Sequence, residues 1–396
     1  MGQQNTQRHT RTQAVWPWIA FPVCMALLAG FIWFRLLADD PLATGHTGNT
    51  GSDAVQVDGS KPASSPLAGT ASGQMQPPAM NRPGAPEALQ ATVTALGRTF
   101  DGDVGIVVQS IDDGWAAAHK GDLRLPQQSL SKLWVAAALL DKVAAGEIAL
   151  EDQVTLTARD LSIFHQPIRK RILASGSYTT TIADLLRRAM TQSDNTANAA
   201  LFDAVGGRSG VLRFLRAQGL NEIWMAPSEK QLQMSITGME WQDSFSYGRN
   251  FWEARKRVPF AQRMQTMGAY LANPPDGAAP VAVADGLAKL ARGELLPKPY
   301  NAYLIDLMAK SKTGPKRLRG GLSPGWSLPH KTGTGQVLKL LATAYNDVGI
   351  LISPSGRRYS VVAMIGATNR PVKERQQLMQ ALTRAVIAYE NNSAVY

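Results

Sequence analysis

Apolar residues recur along the chain at two different spacings. Leu89, Val93 and Leu96 repeat at the interval of a helix, and Leu133–Ala145 is rich in Ala and Leu without a helix breaker. Val104–Ile111 is a mostly apolar run that ends at the turn residues DDG, which predicts a strand. The same patterns predict further helices at 181–190, 196–205, 208–217 and 369–390, and further strands at 115–119, 344–352 and 358–365.

The order of these elements predicts an α+β fold. Strands near both ends of the 87–396 region enclose a helical middle. The N- and C-terminal strands would therefore pair in one antiparallel sheet with flanking helices, beside an all-helical subdomain. We predict that 87–396 is one domain, although a chain of 396 residues would allow two or three.

The N-terminal segment has the pattern of a membrane anchor. Residues 16–34 carry no charge, have tryptophans at both ends and follow Arg8 and Arg11. This pattern is typical of a membrane-spanning helix whose N-terminal side stays in the cytoplasm. A cleaved signal peptide is the alternative, although its apolar part should be shorter and followed by a small-residue cleavage site.

The segment after the anchor has the composition of a linker, since 30 of the 46 residues from 41 to 86 are Ala, Gly, Pro, Ser or Thr. We expect a single-pass protein of the inner membrane with its folded domain in the periplasm, or a periplasmic protein if the N-terminal segment is cleaved. The predicted segments are a cytoplasmic tail at 1–15, a transmembrane anchor at 16–37, a disordered linker at 38–86 and a folded domain at 87–396.

Charge and cysteine content narrow the function. Residues 1–37 contribute +3 and residues 38–86 contribute −2 to the total of +11, so the predicted domain carries +10. Such a charge suits nucleic acid, an anionic membrane or anionic small molecules. An extracytoplasmic location argues against nucleic acid and leaves carboxylate-bearing substrates. The single cysteine excludes an intrachain disulfide, and the scattered histidines argue against a metal site. We expect no metal, no other cofactor and a monomer.

The first of three candidate motifs is SLSK, which spans Ser129–Lys132 at the start of the predicted 133–145 helix. Three residues along a helix return to the same face. Lys132 could therefore reach the hydroxyl of Ser129 and act as the base that a serine nucleophile needs. The helix N-terminus would also offer N–H groups to an oxyanion.

The other two motifs are SDN and KTG. SDN, Ser193–Asn195, supplies a hydroxyl and an amide, although these residue types also favour helix caps. KTG occurs twice. The copy that starts at Lys312 precedes a proline and a basic run, so we interpret it as a structural helix end and loop. The copy Lys331-Thr332-Gly333 precedes strand-like sequence, where glycine would let a substrate approach and Lys331 and Thr332 would bind its carboxylate.

The order S-x-x-K, S-D-N, K-T-G is similar to the motif set of class A β-lactamases and penicillin-binding proteins. The stretches MTQSDNTAN, TGPKRLRGGL, HKTGTG and NDVGILISPSGR also resemble the class A serine β-lactamase family. The resemblance covers about 87–391. It implies a serine hydrolase that opens the β-lactam ring through an acyl-enzyme.

The family uses a glutamate on a loop between S-D-N and K-T-G, in the pattern E-x-x-L-N. Here SEKQLQ offers Glu229 and Leu232, with Gln233 where asparagine is expected. The resemblance implies that Glu229 activates the water that hydrolyses the acyl-enzyme. Gln233 is one methylene longer than asparagine, which would change the placement of this water. We therefore expect it to affect turnover more than acylation. Phe164, in DLSIFHQP, resembles the aromatic residue that borders the family's cleft.

The resemblance also implies a mechanism. Ser129 attacks the lactam carbonyl, and either Lys132 or Glu229 through a water takes its proton. The backbone N–H groups of Ser129 and Thr334 form the oxyanion hole, and Ser193 passes a proton to the leaving nitrogen. The remaining implied site residues are Lys331, Asn195, Thr332, Gly333, Phe164 and Gln233.

Two features leave alternatives open. Residues 234–270 resemble an insertion with seven aromatic residues, which we interpret as a packed subdomain or lid; a surface for membrane or glycan strands is the other interpretation. The expected partner is a β-lactam or a D-Ala-D-Ala-type peptide. A penicillin-binding, D,D-peptidase-like acyltransferase that acts on peptidoglycan and an inactive cell-wall-binding homologue are the alternatives to a β-lactamase.

Overall fold

The computed structural model describes residues 83–393. The predicted tail and anchor, and nearly all of the predicted linker, lie outside these residues. No helix within 83–393 is both long and apolar enough to cross a membrane. The helices are α1 (Glu87–Thr99), α2 (Ser131–Ala144), α3 (Arg169–Ser175), α4 (Ile182–Thr191), α5 (Asn195–Ala204), α6 (Gly207–Ala217), α7 (Glu229–Thr237), α8 (Asn250–Arg257), α9 (Phe260–Ala272), α10 (Pro280–Arg292), α11 (Lys298–Ala309) and α12 (Val372–Ser393).

The strands lie mainly at the two ends of this region. They are β1 (Val104–Ser110), β2 (Ala116–His119), β3 (Leu125–Pro126), β4 (Gln153–Thr157), β5 (Ser177–Thr181), β6 (Gly277–Ala278), β7 (His330–Thr334), β8 (Val337–Leu338), β9 (Leu341–Ala342), β10 (Tyr345–Ile352) and β11 (Arg358–Ile365). All the helices and strands that the apolar patterns predict are present, with ends shifted by a few residues.

Within residues 83–393, five strands form one antiparallel sheet in the order β2-β1-β11-β10-β7. Strand β1, from the start of the domain, pairs with β11 near its end, so that Val104 lies opposite Ile365. Every residue of β1 is buried, because both faces of the sheet are covered. The predicted α+β fold with paired terminal strands is confirmed. The sheet places β7 at its edge, where it borders the site described below.

Two apolar layers lie on opposite faces of the sheet. On one face, α1 and α12 contribute Val93 and Leu382 to a core with alternate residues of β1 and β11. On the other face, α10 and the helical region form the larger core. Helix α2 runs through this larger core, and its residues from Lys132 to Leu140 are all buried. Burial on every side explains why its sequence has no polar face.

The predicted insertion, residues 234–270, is mostly helical. It comprises the second half of α7, a 3-10 turn at Asp243–Ser246, α8 and most of α9. Phe245 and Phe251 are buried in a small core with Ile163 and Met234. Most of its aromatic side chains therefore pack inside the domain, while Trp252 and Phe260 remain 41% exposed.

Candidate active site

The candidate nucleophile lies where the chain turns into α2. Ser129 occupies the 3-10 turn Gln128–Leu130 and lines a cleft of about 390 Å³. Gln128 has a φ of +52°, a conformation that few non-glycine residues adopt. On the first turn of α2, Lys132 donates a hydrogen bond from Nζ to Ser129 Oγ at 2.8 Å. The structure therefore brings together the two side chains of the S-x-x-K motif.

Lys132 is buried in a setting that disfavours its charge. It is only 1% exposed. Burial lowers the pKa of Lys132 below the ordinary value of lysine, although the carboxylates of Glu229 and Asp194 act in the opposite direction. A lysine with a lowered pKa reaches its neutral, proton-accepting form more easily. The amine is therefore suited to accept a proton from Ser129.

The SDN motif lies in the turn between α4 and α5. Asp194 caps α5 by accepting a hydrogen bond from the N–H of Ala197, so it has the structural role that its residue type suggests. Ser193 has a φ of +57°, and its Oγ accepts a hydrogen bond from Lys331 Nζ at 3.0 Å. The capping turn thus holds Ser193 against the K-T-G strand.

Lys331 is the second fully buried lysine of the cleft region. It lies on β7 and also donates to the carbonyl of Thr332 at 3.0 Å. Burial, together with the positive charges of Lys132 and Arg317, lowers the pKa of Lys331 well below its ordinary value. An incoming carboxylate would favour the charged form, so this lysine is suited to bind an anionic substrate.

Glu229 begins α7 and faces the same cleft. The family resemblance implies a loop position for it, but the Ser228 side chain caps a helix here by accepting the N–H of Gln231. Gln233 lies one helical turn later, and its Nε2 donates to Glu229 Oε1 at 3.0 Å. Asn195 Nδ2 makes a longer contact with the same oxygen, at 3.4 Å, and donates to the Ile163 carbonyl at 2.8 Å.

The edge strand β7 forms the wall opposite Glu229 and presents Thr332 and Thr334 to the cleft. Gly333 lies between them, against the nucleophile's turn. A Cβ at Gly333 would lie 2.3 Å from the carbonyl oxygen of Gln127. Glycine is therefore required here by the close approach of two backbones, and the substrate itself need not impose it.

The residues of this candidate site all lie in the part of the chain that matches a known family. A sequence profile of the β-lactamase enzyme family matches residues 88–390. The chain belongs to this family. The expected resemblance to class A serine β-lactamases is thereby confirmed, over nearly the whole region that the motifs suggested.

The relatives of this β-lactamase family member are distant in sequence. A β-lactamase of Citrobacter koseri is 24% identical over 303 residues, which cover 76% of this chain and 88% of that protein. The β-lactamase SME-1 of Serratia marcescens is 27% identical over 249 residues, which cover 63% of this chain and 72% of that protein.

Solved β-lactamase structures share the fold. A β-lactamase from Chitinophaga pinensis matches with a TM-score of 0.63 at 25% identity, and the match covers 76% of this chain and 99% of that one. An ancestral class A β-lactamase matches with a TM-score of 0.61 at 26% identity, over 76% and 99% of the two chains.

The first copy of K-T-G, which we interpret from the sequence as structural, also reaches the cleft of this β-lactamase family member. Thr313 and Gly314 line the cleft, and Thr313 Oγ1 lies 2.8 Å from Thr332 Oγ1 of the second copy. The purely structural interpretation is incomplete for these two residues. It holds for Lys312, whose side chain is exposed and does not line the cleft.

Phe164 lines the cleft, as the family resemblance implies. It has a φ of +61° and is half-buried. Its ring packs edge-on against Phe251 and at 5.5 Å from Trp252, both on α8. The predicted insertion therefore supports the aromatic wall of the cleft. Sequence alone suggests Phe164 but not its partners on α8.

Arg317 is a cleft residue that the motifs do not reveal. It donates to the carbonyls of Gly333 at 2.8 Å and Asn346 at 2.6 Å, and to Thr334 Oγ1. Its guanidinium lies 3.8 Å from the ring centroid of Tyr345. Arg317 lies in the stretch TGPKRLRGGL, which resembles the family, but that stretch assigns it no role, and a basic run is ordinarily a solvated surface. Arg317 is instead buried, and its hydrogen bonds to Gly333 and Thr334 hold the K-T-G strand β7 in place.

Proposed function

We propose that this protein hydrolyses β-lactams through an acyl-enzyme on Ser129. The observation that carries the proposal is the 2.8 Å contact between Ser129 Oγ and the buried amine of Lys132, in a cleft that Glu229 also lines. A serine with a base within hydrogen-bond distance is the arrangement that nucleophilic catalysis requires. The β-lactamases among its relatives support the same activity.

Acylation would begin when Ser129 Oγ attacks the lactam carbonyl carbon. Its proton passes to neutral Lys132, or to Glu229 through a water. The tetrahedral oxyanion would be held by the backbone N–H groups of Ser129 and Thr334, donors that are worth several kcal/mol in such enzymes. The C–N bond then breaks, and Ser193 relays the proton taken from Ser129 to the departing nitrogen. The hydrogen bond that Ser193 Oγ accepts from Lys331 leaves its own O–H available to donate in this step.

Substrate binding would use the K-T-G strand. Lys331 and Thr332 would hold the carboxylate of the substrate beside Gly333, while Phe164 and the amide of Asn195 would contact the rest of it. The net charge of +10 on the predicted domain favours such anions.

Deacylation would depend on Glu229. As general base it takes a proton from a water that attacks the ester carbon, and Ser129 leaves with this proton, which passes back through Lys132. The hydrogen bond from Gln233 supports an ordered glutamate carboxylate. This arrangement favours a hydrolase over a D,D-peptidase-like acyltransferase, which would retain the acyl group longer.

We also propose that residues 16–37 anchor the protein in the inner membrane with this domain in the periplasm.

Hydrolysis of a chromogenic cephalosporin tests the proposal. We expect the full-length chain to open the ring and Ser129→Ala to lose at least ~1,000-fold in kcat/KM, because the nucleophile is removed. Ser235→Ala is the matched control, since Ser235 is exposed on α7 and bonds only the carbonyl of Leu232. Equal activity of Ser129→Ala and the control would refute the acyl-enzyme.

A further inference from the structure

A chain of buried hydrogen bonds runs behind Glu229. Gln336 Nε2 donates to Gln233 Oε1 at 2.9 Å, and Gln233 Nε2 donates to Gln128 Oε1 at 2.9 Å. Gln128 Nε2 donates to the Tyr270 hydroxyl at 2.6 Å, and that hydroxyl donates to Asp276 Oδ1 at 3.1 Å. All five side chains are at most 5% exposed. In each of these hydrogen bonds one residue donates and the next accepts, so donation runs in one direction along the series, from Gln336 to Asp276.

The residues at the two ends of this hydrogen-bond series determine the direction of donation. At the first end, Gln336 Nε2 also donates to the backbone carbonyl of Gln233 at 3.1 Å, and a carbonyl can only accept. The Gln336 amide must therefore present its nitrogen to Gln233. At the other end, the Asp276 carboxylate also accepts the N–H of Gln128 at 2.7 Å. Burial raises the pKa of Asp276 to about 6, so at pH 8 this group is a carboxylate and can only accept.

The direction determines which edge of the Gln233 amide faces Glu229. In this arrangement, Gln233 Nε2 donates one N–H to Gln128 Oε1 and the other to Glu229 Oε1, the latter at 3.0 Å. If the amide were rotated by half a turn, its oxygen would face the oxygens of both Glu229 and Gln128. Two acceptor–acceptor contacts, one of them with the half-exposed Glu229, and one donor–donor contact would then replace three hydrogen bonds.

We propose that Gln336 is a positioning residue for deacylation: by locking the amide of Gln233, it directs an N–H to Glu229 Oε1 and thereby orients the carboxylate that acts on water. This inference rests on the proposed role of Glu229 as the deacylation base. Gln336 itself does not line the cleft and contacts no reacting atom. Among the described residues, the hydrogen bonds to the Glu229 carboxylate all fall on Oε1, which leaves Oε2 to accept from the attacking water in the proposed step.

Two substitutions of Gln336 test the proposal from different directions. Gln336→Met keeps the volume and removes the donor, so Gln233 is free to rotate. Gln336→Glu, measured at pH 8, places an acceptor against Gln233 Oε1 and favours the rotated amide. Gln231→Glu is the matched control, because Gln231 is exposed on the same helix and the substitution adds the same charge near Glu229.

The kinetic readout separates the two half-reactions. We expect both Gln336 variants to slow release of the penicilloyl group about tenfold or more, with Gln336→Glu the slower of the two, because a carboxylate misplaced by a fraction of an ångström loses its alignment. Acylation by a fluorescent penicillin should change less than about twofold, because Lys132 bonds Ser129 Oγ directly and can take its proton without Glu229. Unchanged release in both variants, or an equal loss in Gln231→Glu, would overturn the proposal.

A second readout does not depend on activity. In full-length protein labelled with 15N at glutamine side chains and kept in detergent, the Gln233 amide protons should exchange slowly with solvent, and about tenfold or more faster in Gln336→Met. If exchange responds in this way but the wild type hydrolyses no β-lactam, the locked amide stands and the proposed function fails. If exchange does not respond, the positioning role is refuted whatever the activity.

Discussion

At the scale of single residues, the site depends on backbone conformations that side-chain motifs do not encode. Five non-glycine residues among those described have a positive φ, and three of them, Gln128, Phe164 and Ser193, line the cleft. Such conformations persist only where the surroundings hold them, and they concentrate at functional sites. Here Asp276 holds Gln128, and the cap formed by Asp194 follows Ser193. Sequence spacing predicts that Ser129 and Lys132 meet, but not these supports.

The two K-T-G copies provide a matched pair of lysines. Lys331→Met should lower kcat/KM for a carboxylate-bearing penicillin about 10- to 100-fold, because a charge-assisted contact worth roughly 1.5–3 kcal/mol is lost. Lys312→Met should change it less than about twofold, since Lys312 is exposed and outside the cleft. Steady-state hydrolysis by the two variants is the measurement. A similar loss in both would mean that the first copy, and not Lys331 alone, binds the substrate.

At the scale of elements, apolar spacing is sufficient where an element is long and uniformly buried. Strands β1, β10 and β11 are buried on both faces and largely apolar, and helix α2 has no polar side, so their sequences alone predict them. The pattern is insufficient for two-residue strands such as β3 and β6, whose register depends on partners far along the chain. The sequence does not predict the start of α7 at Glu229 either. The family pattern implies a loop there, whereas Ser228 caps the N-terminus of a helix.

The contact between β7 and the nucleophile's turn leads to a test at this scale. Gly333→Ala should destabilise the fold by about 1–3 kcal/mol and slow acylation, because the new Cβ would meet the Gln127 carbonyl and push β7 away from Ser129. Gly268→Ala, on α9, is the control: nothing lies within 4 Å of its added Cβ, and alanine favours a helix by roughly 0.5–1 kcal/mol. Denaturant unfolding and penicillin labelling measure both. Equal stability of the two variants would refute the close approach.

At the scale of the whole molecule, the sheet and the helical region each supply part of the site. Residues on the 3-10 turn before α2, on the turn before α5 and on α7 line the cleft together with residues on β7. The order of motifs in the sequence is sufficient to identify most of this set. It does not reveal Arg317, Gln336 or Tyr270, because their roles arise from contacts over 16 to 142 residues of separation along the chain.

The proposed membrane anchor is tested on the full chain in cells. We expect the protein to remain in the membrane fraction after alkaline carbonate extraction, because 19 uncharged residues from 16 to 34 suffice to span the hydrocarbon core. A form lacking residues 1–37, exported by an unrelated signal peptide, should be released with the soluble periplasmic fraction. Release of the intact chain, or a mature N-terminus beyond residue 37, would favour the cleaved signal peptide.

The central claim is that Ser129 forms an acyl-enzyme which Glu229 then resolves, and a label-and-chase experiment tests it most directly. Full-length protein is labelled with a fluorescent penicillin, excess label is removed, and the adduct is followed by mass and fluorescence in the wild type and in Glu229→Gln. We predict an adduct on Ser129 in both, with release at least ~100-fold slower in Glu229→Gln because the base for the attacking water is lost. Absence of an adduct on Ser129, or equal release from the two proteins, would contradict the account.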